Sequence, residues 1–323
     1  MTTNADLIAD RRRVKRSNMM WRAIAIAAVV ISAIVAGLAG VFGDGLGVSG
    51  SHIARVQIDG LITGPRAQLT MLNRISEAKR VKAVIVHVNS PGGTTAGSEA
   101  VYESLRKLAA KKPVVTVMGS QATSGGYITA IAGDYIVARG NTLTGSIGVI
   151  FQWPNVKEAL KKLGIEYEEV KSDPLKAEPN PFSDASPEAI AVVRGVIDDS
   201  QKWFVGLVAE RRKLDEAEAR RLGDGRIYTG RQALEVKLID AIGGEDTAVK
   251  WLRDEKKLPK SLKVVTWKPK RQDELSLMRM SVNWLGEVFA GGFVNGIWQE
   301  TEKRLAPEGL RLDGLISVWQ PKE

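Results

Sequence analysis

The ten residues Met118-Gly119-Ser120-Gln121-Ala122-Thr123-Ser124-Gly125-Gly126-Tyr127 are of the types that can present a nucleophile. An apolar run, 113–117, precedes them, and 127–132 reads as a helix, so the layout is strand, tight turn, helix. That layout puts Ser124 at the head of a helix, where free backbone N–H groups and the positive end of the dipole converge. Such groups favour an alkoxide and hold an oxyanion. Gly125 and Gly126 remove the Cβ atoms that would keep a substrate backbone away. Taken alone, the stretch reads equally well as a glycine-rich connection in an α/β domain.

A nucleophilic serine needs a base, and the composition restricts the choice. There is no Cys and there are only two His, His52 and His87. A thiol nucleophile, a disulfide framework and a Cys-ligated metal are excluded, and the usual routes to zinc and to Ser-His-Asp catalysis nearly close. His87 lies inside the apolar run 81–88 and reads as a strand residue, and His52 falls in a linker. A lysine serves instead if burial keeps its amine neutral. Lys171 is the best candidate: it ends the stretch 165–171, read as a buried strand, and enters a loop with little local charge except Asp173. Lys176 competes. Lys107, Lys111, Lys112, Lys161 and Lys162 fall on helix faces and read as solvated.

The elements that must carry these residues alternate. Strands are expected at 53–58, 81–88, 113–117, 134–138 and 143–150, with helices after the first three. Near-continuous apolar strands belong to sheets covered on both faces. Asn89-Ser90-Pro91-Gly92-Gly93 closes the second strand and a helix begins near Thr94, which repeats the unit that carries Ser124. Two successive right-handed crossovers put both glycine turns on one edge of the sheet, where open α/β sheets place their ligands. Neither phosphate-loop motif is present, and no cofactor is expected. Further on come a helix near 156–163, a long helix opened by Ser186-Pro187-Glu188, a strand–helix–strand unit over 225–240 and an amphipathic helix over 245–257.

The ends differ in character. Residues 1–20 are polar and basic, 21–42 are apolar with Arg22 at the edge, and 43–52 form a Gly/Ser linker. At about 1.5 Å per residue, 21–42 is long enough to cross the roughly 30 Å hydrocarbon layer. The basic cluster before it keeps the N-terminus cytoplasmic and sends the remainder, 53–272, across the cell membrane. The net charge of +9 includes six basic and three acidic side chains in residues 1–50, leaving +6 spread among alternating signs. That distribution does not suit nucleic acid. Residues 273–323 form an extension whose apolar stretch at 282–298 contains Glu287 and four glycines and reads as a packing or oligomer-interface helix.

Five motifs in order carry a resemblance: 89–93 (Asn-Ser-Pro-Gly-Gly), 124–127 (Ser-Gly-Gly-Tyr), 144–149 (Thr-Gly-Ser-Ile-Gly-Val), Lys171-Ser172 and 230–235 (Gly-Arg-Gln-Ala-Leu-Glu). Together they resemble peptidase family S49, the signal peptide peptidase A type in its short, membrane-anchored form. The resemblance implies a spiral of ββα units like that of Clp protease and crotonase. It also implies a serine endopeptidase with Ser124 as nucleophile, Lys171 as base, Ser146 orienting the lysine, and an oxyanion hole from Gly92, Gly93 and Gly125. Substrates would be remnant signal peptides, and the assembly a homo-oligomeric ring on the membrane in which neighbouring subunits can complete the dyad. One position departs: the family reads Lys-Ser-Gly where this chain has Asp173. A carboxylate beside the lysine opposes the neutral amine.

Overall fold

The computed structural model describes residues 20–22, 24, 26 and 50–269. Met20, Trp21, Arg22, Ile24 and Ile26 are helical. The rest of the expected span at 21–42, the basic segment before it, most of the linker and the extension 273–323 lie outside the described residues. Among those described, no helix is long and apolar enough to cross a membrane.

From Ser51 onward the described chain forms a mixed α/β body of eight strands. The strands are β1 (His52–Ile62), β2 (Val81–Gly93), β3 (Val114–Thr123), β4 (Tyr135–Ala138), β5 (Leu143–Gly145), β6 (Ile227–Thr229), β7 (Ala241–Ile242) and β8 (Lys263–Thr266). The sheet runs β6-β5-β3-β2-β1-β8, and β4 pairs with β3 and β7. Every pairing is parallel except β5 with β6. The longer β3 serves two neighbours in turn: Val115–Val117 pair with β4, and Gln121–Thr123 with β5. Its second half therefore leaves the β4 edge and carries the chain toward Ser124.

Alternation along β2 explains why that strand is apolar throughout. Val84, Val86 and Val88 pack into one core with the helices α1 (Arg66–Glu77), α2 (Thr95–Ala109) and α3 (Gly125–Ala130). Ala83 and Ile85 pack into a second with Ala248 and Leu252 of α8 (Glu245–Asp254). Between these helices lie α4 (Lys157–Lys162), α5 (Pro187–Arg212), α6 (Glu216–Leu222) and α7 (Gly230–Glu235). Local chemistry sets several starts. The Thr94 hydroxyl accepts from Gly97 N at the head of α2, and Ser186 caps α5 with Pro187 in its first turn. Thr229 and Gln232 form a reciprocal capping box on α7.

Two expectations are corrected here. The stretch 165–171 is not a strand: it has no regular structure, and Val170 is fully exposed. Its apolar side chains find no sheet to pack against, because no strand pairs with it among the described residues. His52 is not linker: it is buried, begins β1, stacks on Trp267 and accepts a hydrogen bond from its indole N–H at 3.2 Å.

Candidate active site

Ser124 follows the last residue of β3 and precedes the first of α3, with φ 53° and ψ −121°. A non-glycine residue held there costs on the order of 1–3 kcal/mol, and the surroundings must impose it. They do. Its N–H donates to Gly145 O at 2.9 Å, and its carbonyl accepts from Tyr127 N at 2.8 Å and Ile128 N at 3.0 Å. On either side, the Thr123 hydroxyl donates to Pro91 O (3.0 Å) and the Thr144 hydroxyl to Ala122 O (2.8 Å). Tyr127 anchors α3 beneath: its ring is buried, its hydroxyl donates to Leu238 O at 2.8 Å, and burial pushes its ionisation well above the ordinary range. A serine on such a sharp strand-to-helix turn is of the kind that can serve as a nucleophile.

The end of β2 supplies the facing wall. Gly92 has φ 124°, and a Cβ on it would lie 3.1 Å from Ser124 Cβ and 3.3 Å from Ser124 Oγ. Only glycine suits both the backbone angle and the approach. The Gly92 N–H donates to Ser90 Oγ at 3.0 Å, so of the three expected donors this one is engaged inside the turn. Gly93 lies against Ile62, where a Cβ would fall 1.9 Å from the Ile62 carbonyl oxygen. Its nitrogen is 3.1 Å from the point a Cβ on Gly125 would occupy. Gly93 and Gly125 thus approach each other closely, and both line the space beside Ser124.

That space opens into a cavity of about 50 Å³. Ser124, Gly93, Gly125 and Thr95 line it together with the apolar side chains of Ile128, Val149, Ile150, Trp203 and Phe204. Ser98 of α2 lines it too, with its hydroxyl against Gly125.

Ser146 is brought close to Ser124, whereas Lys171 is not joined to either serine. Ser146 follows the Gly145 whose carbonyl binds Ser124, has φ 49°, and donates its N–H to Arg226 O at 2.8 Å. Gln201 on α5 steadies the same loop by donating to Gly223 O (2.7 Å) and Ile147 O (3.4 Å). Lys171 Nζ instead sits 2.6 Å from Glu169 Oε1 and 2.5 Å from Glu178 Oε1. No hydrogen bond links it to Ser124 or Ser146 among the described residues. The Glu169 and Glu178 carboxylates hold its ammonium above the ordinary lysine range. The expectation of a lysine in a loop with little charge is therefore corrected. The carboxylates that matter are Glu169 and Glu178, while Asp173 is exposed and its carbonyl accepts from Lys176 N. Lys176 is exposed as well.

His87 is half-buried and pairs with Glu245 at 2.7 Å, alongside Arg55. The Arg55 guanidinium, with His87, keeps the Glu245 carboxyl below its usual range. This cluster joins β1 and β2 to α8. Among the described residues no group of side chains could hold a metal ion.

Sequence reasoning passed over Ser98, Glu169 and Glu178. Ser98 carried a signal, since it shares the helical spacing of Val101, Leu105 and Leu108 and is a polar residue in an apolar stripe. The two glutamates lie in irregular chain, where spacing says nothing about contacts.

Comparison with known proteins decides the family. The model of peptidase family S49 matches residues 106–259, and that of Clp protease matches 57–142. A Synechocystis protein named as a protease is 37% identical over 200 residues, which cover 62% of this chain and 72% of that protein. The chain belongs to peptidase family S49. The S49 chain is also 37% identical over 228 residues to an Enterococcus faecium protein named for signal peptide peptidase SppA, covering 66% of each. It is 34% identical to protease 4 of Haemophilus influenzae over 182 residues, 55% of this chain but 29% of that protein. The mixed sheet and the Clp protease match agree with the Clp protease and crotonase type of fold.

Proposed function

We propose that the chain is a membrane-anchored serine endopeptidase that cuts apolar peptides such as signal-peptide remnants through a Ser124–Lys171 dyad. The observation that carries this reading is the strained Ser124 turn with the Gly93 and Gly125 amides beside it. In this reading Ser124 Oγ attacks the scissile carbonyl and its proton passes to a neutral Lys171. The Gly93 and Gly125 amides stabilise the oxyanion, and preorganised donors of this kind are worth about 10²–10³ in kcat each. The lysine then gives its proton to the leaving amine, leaving an acyl-enzyme on Ser124. Water, deprotonated by the same lysine, releases the acid.

Lys171 in the single chain is charged and held by Glu169 and Glu178, so this state is a resting one. Assembly gives the amine a reason to move. Leu163, Ile165 and Val170 expose apolar side chains on the segment that bears Lys171, and Ile190 and Val192 do so on α5. Exposed apolar side chains in such number fit an association face. In an oligomeric ring a neighbour's Lys171 reaches Ser124, with Ser146 to orient it. The expected topology keeps the N-terminus cytoplasmic and the catalytic body outside the cell membrane.

Peptidase assays on the wild type, Ser124→Ala and Lys171→Ala test the reading. Activity must vanish in both variants, and an inactive wild type would favour a scaffold of the same fold with a silent dyad. Mixing the two variants asks where the dyad forms. Recovered activity places it between subunits, and none places it within one chain.

A further inference from the structure

Ser98 is the side chain near the candidate site that the mechanism leaves unused. It is fully buried, and its Oγ has no hydrogen-bond partner among the described residues. Buried hydroxyls are normally paired, because an unpaired one forfeits its bond to water. Serine in a helix commonly donates to the carbonyl four residues back, as Ser104 does to Ala100 O at 2.8 Å in the same helix. Ser98 does not. Its hydroxyl instead lies against Gly125, 2.2 Å from where a Cβ there would stand, on the wall of the cavity that opens at Ser124.

The cavity's size limits what it accepts. A volume of about 50 Å³ holds about three or four water-sized groups. That suits the side chain of alanine, serine, threonine or valine at the residue whose carbonyl Ser124 attacks, leaves the four carbons of leucine at its limit, and is too small for phenylalanine. Ile128, Val149, Ile150, Trp203 and Phe204 supply apolar contact to such a side chain. Ser98 supplies a hydrogen-bonding group on a wall that also carries Thr95.

We propose that Ser98 is a specificity-determining residue, binding the hydroxyl of a serine or threonine at the cleaved position and so favouring small hydroxyl side chains there. The assignment rests on Ser124 being the nucleophile. Threonine and valine have nearly the same shape, so their ratio isolates the hydroxyl. A neutral hydrogen bond of about 1 kcal/mol corresponds to roughly a fivefold preference for threonine.

The test uses the full-length chain and apolar peptides that differ only at the cleaved residue, with alanine, serine, threonine, valine or leucine there. In kcat/KM the wild type should favour threonine over valine about fivefold and cut the leucine peptide slowest, and Ser98→Ala should bring the threonine-to-valine ratio to about one. A wild-type ratio near one, a ratio that survives Ser98→Ala, or leucine as the best substrate overturns the proposal. Affinities of the same peptides for Ser124→Ala, with and without Ser98→Ala, separate this from the peptidase reading. If the wild type cleaves nothing, that reading falls alone. A threonine preference in Kd that Ser98→Ala abolishes still supports Ser98, and equal affinities overturn it.

Discussion

Gly125→Ala adds a single methyl group at the point where Ser98, Gly93 and Ser124 converge. Built on the existing backbone, the new Cβ lies 2.2 Å from Ser98 Oγ, 3.2 Å from Ser98 Cβ and 3.1 Å from Gly93 N. The first distance is impossible, and the buried Ser98 hydroxyl must rotate or its helix must shift. Overpacking of this kind costs about 1–3 kcal/mol. Alanine's better helix propensity offsets up to about 1 kcal/mol of that. The net expectation is a loss of about 1–2 kcal/mol, or roughly 2–8 °C in Tm for a body of this size. Activity should fall further than stability explains. In the proposed mechanism the methyl group crowds the Gly93 and Gly125 amides, and losing one oxyanion donor costs about 10²–10³ in kcat. Thermal unfolding and peptide turnover should be measured for Gly125→Ala, Ser98→Ala and the double variant. The double variant should regain most of the lost Tm, because the 2.2 Å contact is gone, but not the activity, because the 3.1 Å approach to Gly93 N remains. A Gly125→Ala chain with wild-type turnover would refute the placement of the oxyanion site. A double variant with no recovery in Tm would refute the steric account.

Two further outcomes follow from the same geometry. Ser124→Gly should abolish activity yet raise stability by about 1 kcal/mol relative to Ser124→Ala, because glycine tolerates φ 53° where alanine keeps the strain; equal melting points would sink that account. Glu178→Gln keeps an oxygen for the Asn180 amide, which donates to Glu178 at 3.0 Å, but removes one charge that raises Lys171. Lysine must be neutral to act, so the acidic limb of the pH–rate profile should move to lower pH, and an unmoved limb would show that Lys171 works away from this carboxylate. The linked stability has a defined window. Lys171 is raised by Glu169 and Glu178, so its share is complete below the ordinary lysine value of 10.5 and is lost as pH rises through the folded value. Glu169 is lowered chiefly by Lys171, so its share is complete above the ordinary 4.5 and is lost as pH falls through the folded value.

Periodicity and turn chemistry, which are local, made much of this protein readable in advance. The apolar runs at 81–88 and 113–117 became central strands because a strand buried on both faces has no polar positions to spare. The glycine pairs at 92–93 and 125–126 marked close approach, and the distances a Cβ would make there show why. The absence of Cys and the scarcity of His leave lysine as the base open to a nucleophilic serine.

Tertiary structure alone decided the rest. The stretch 165–171 looks like a strand to any local rule, but strands need partners, and Val170 stands fully exposed with none. Glu178, seven residues after Lys171, meets it only because the irregular loop folds back. The Gly92 amide turns inward to Ser90 rather than toward a substrate, a contact set by how the chain folds through Ser90 and Pro91. Ser98 and Ser124 lie on different crossovers of the spiral and share a cavity only once those crossovers stack. Ser124 itself was visible from its neighbours in the chain. The left-handed backbone that raises its hydroxyl is imposed by Gly145 O, Tyr127 and the β3–β5 pairing, contacts that exist only after the chain has folded.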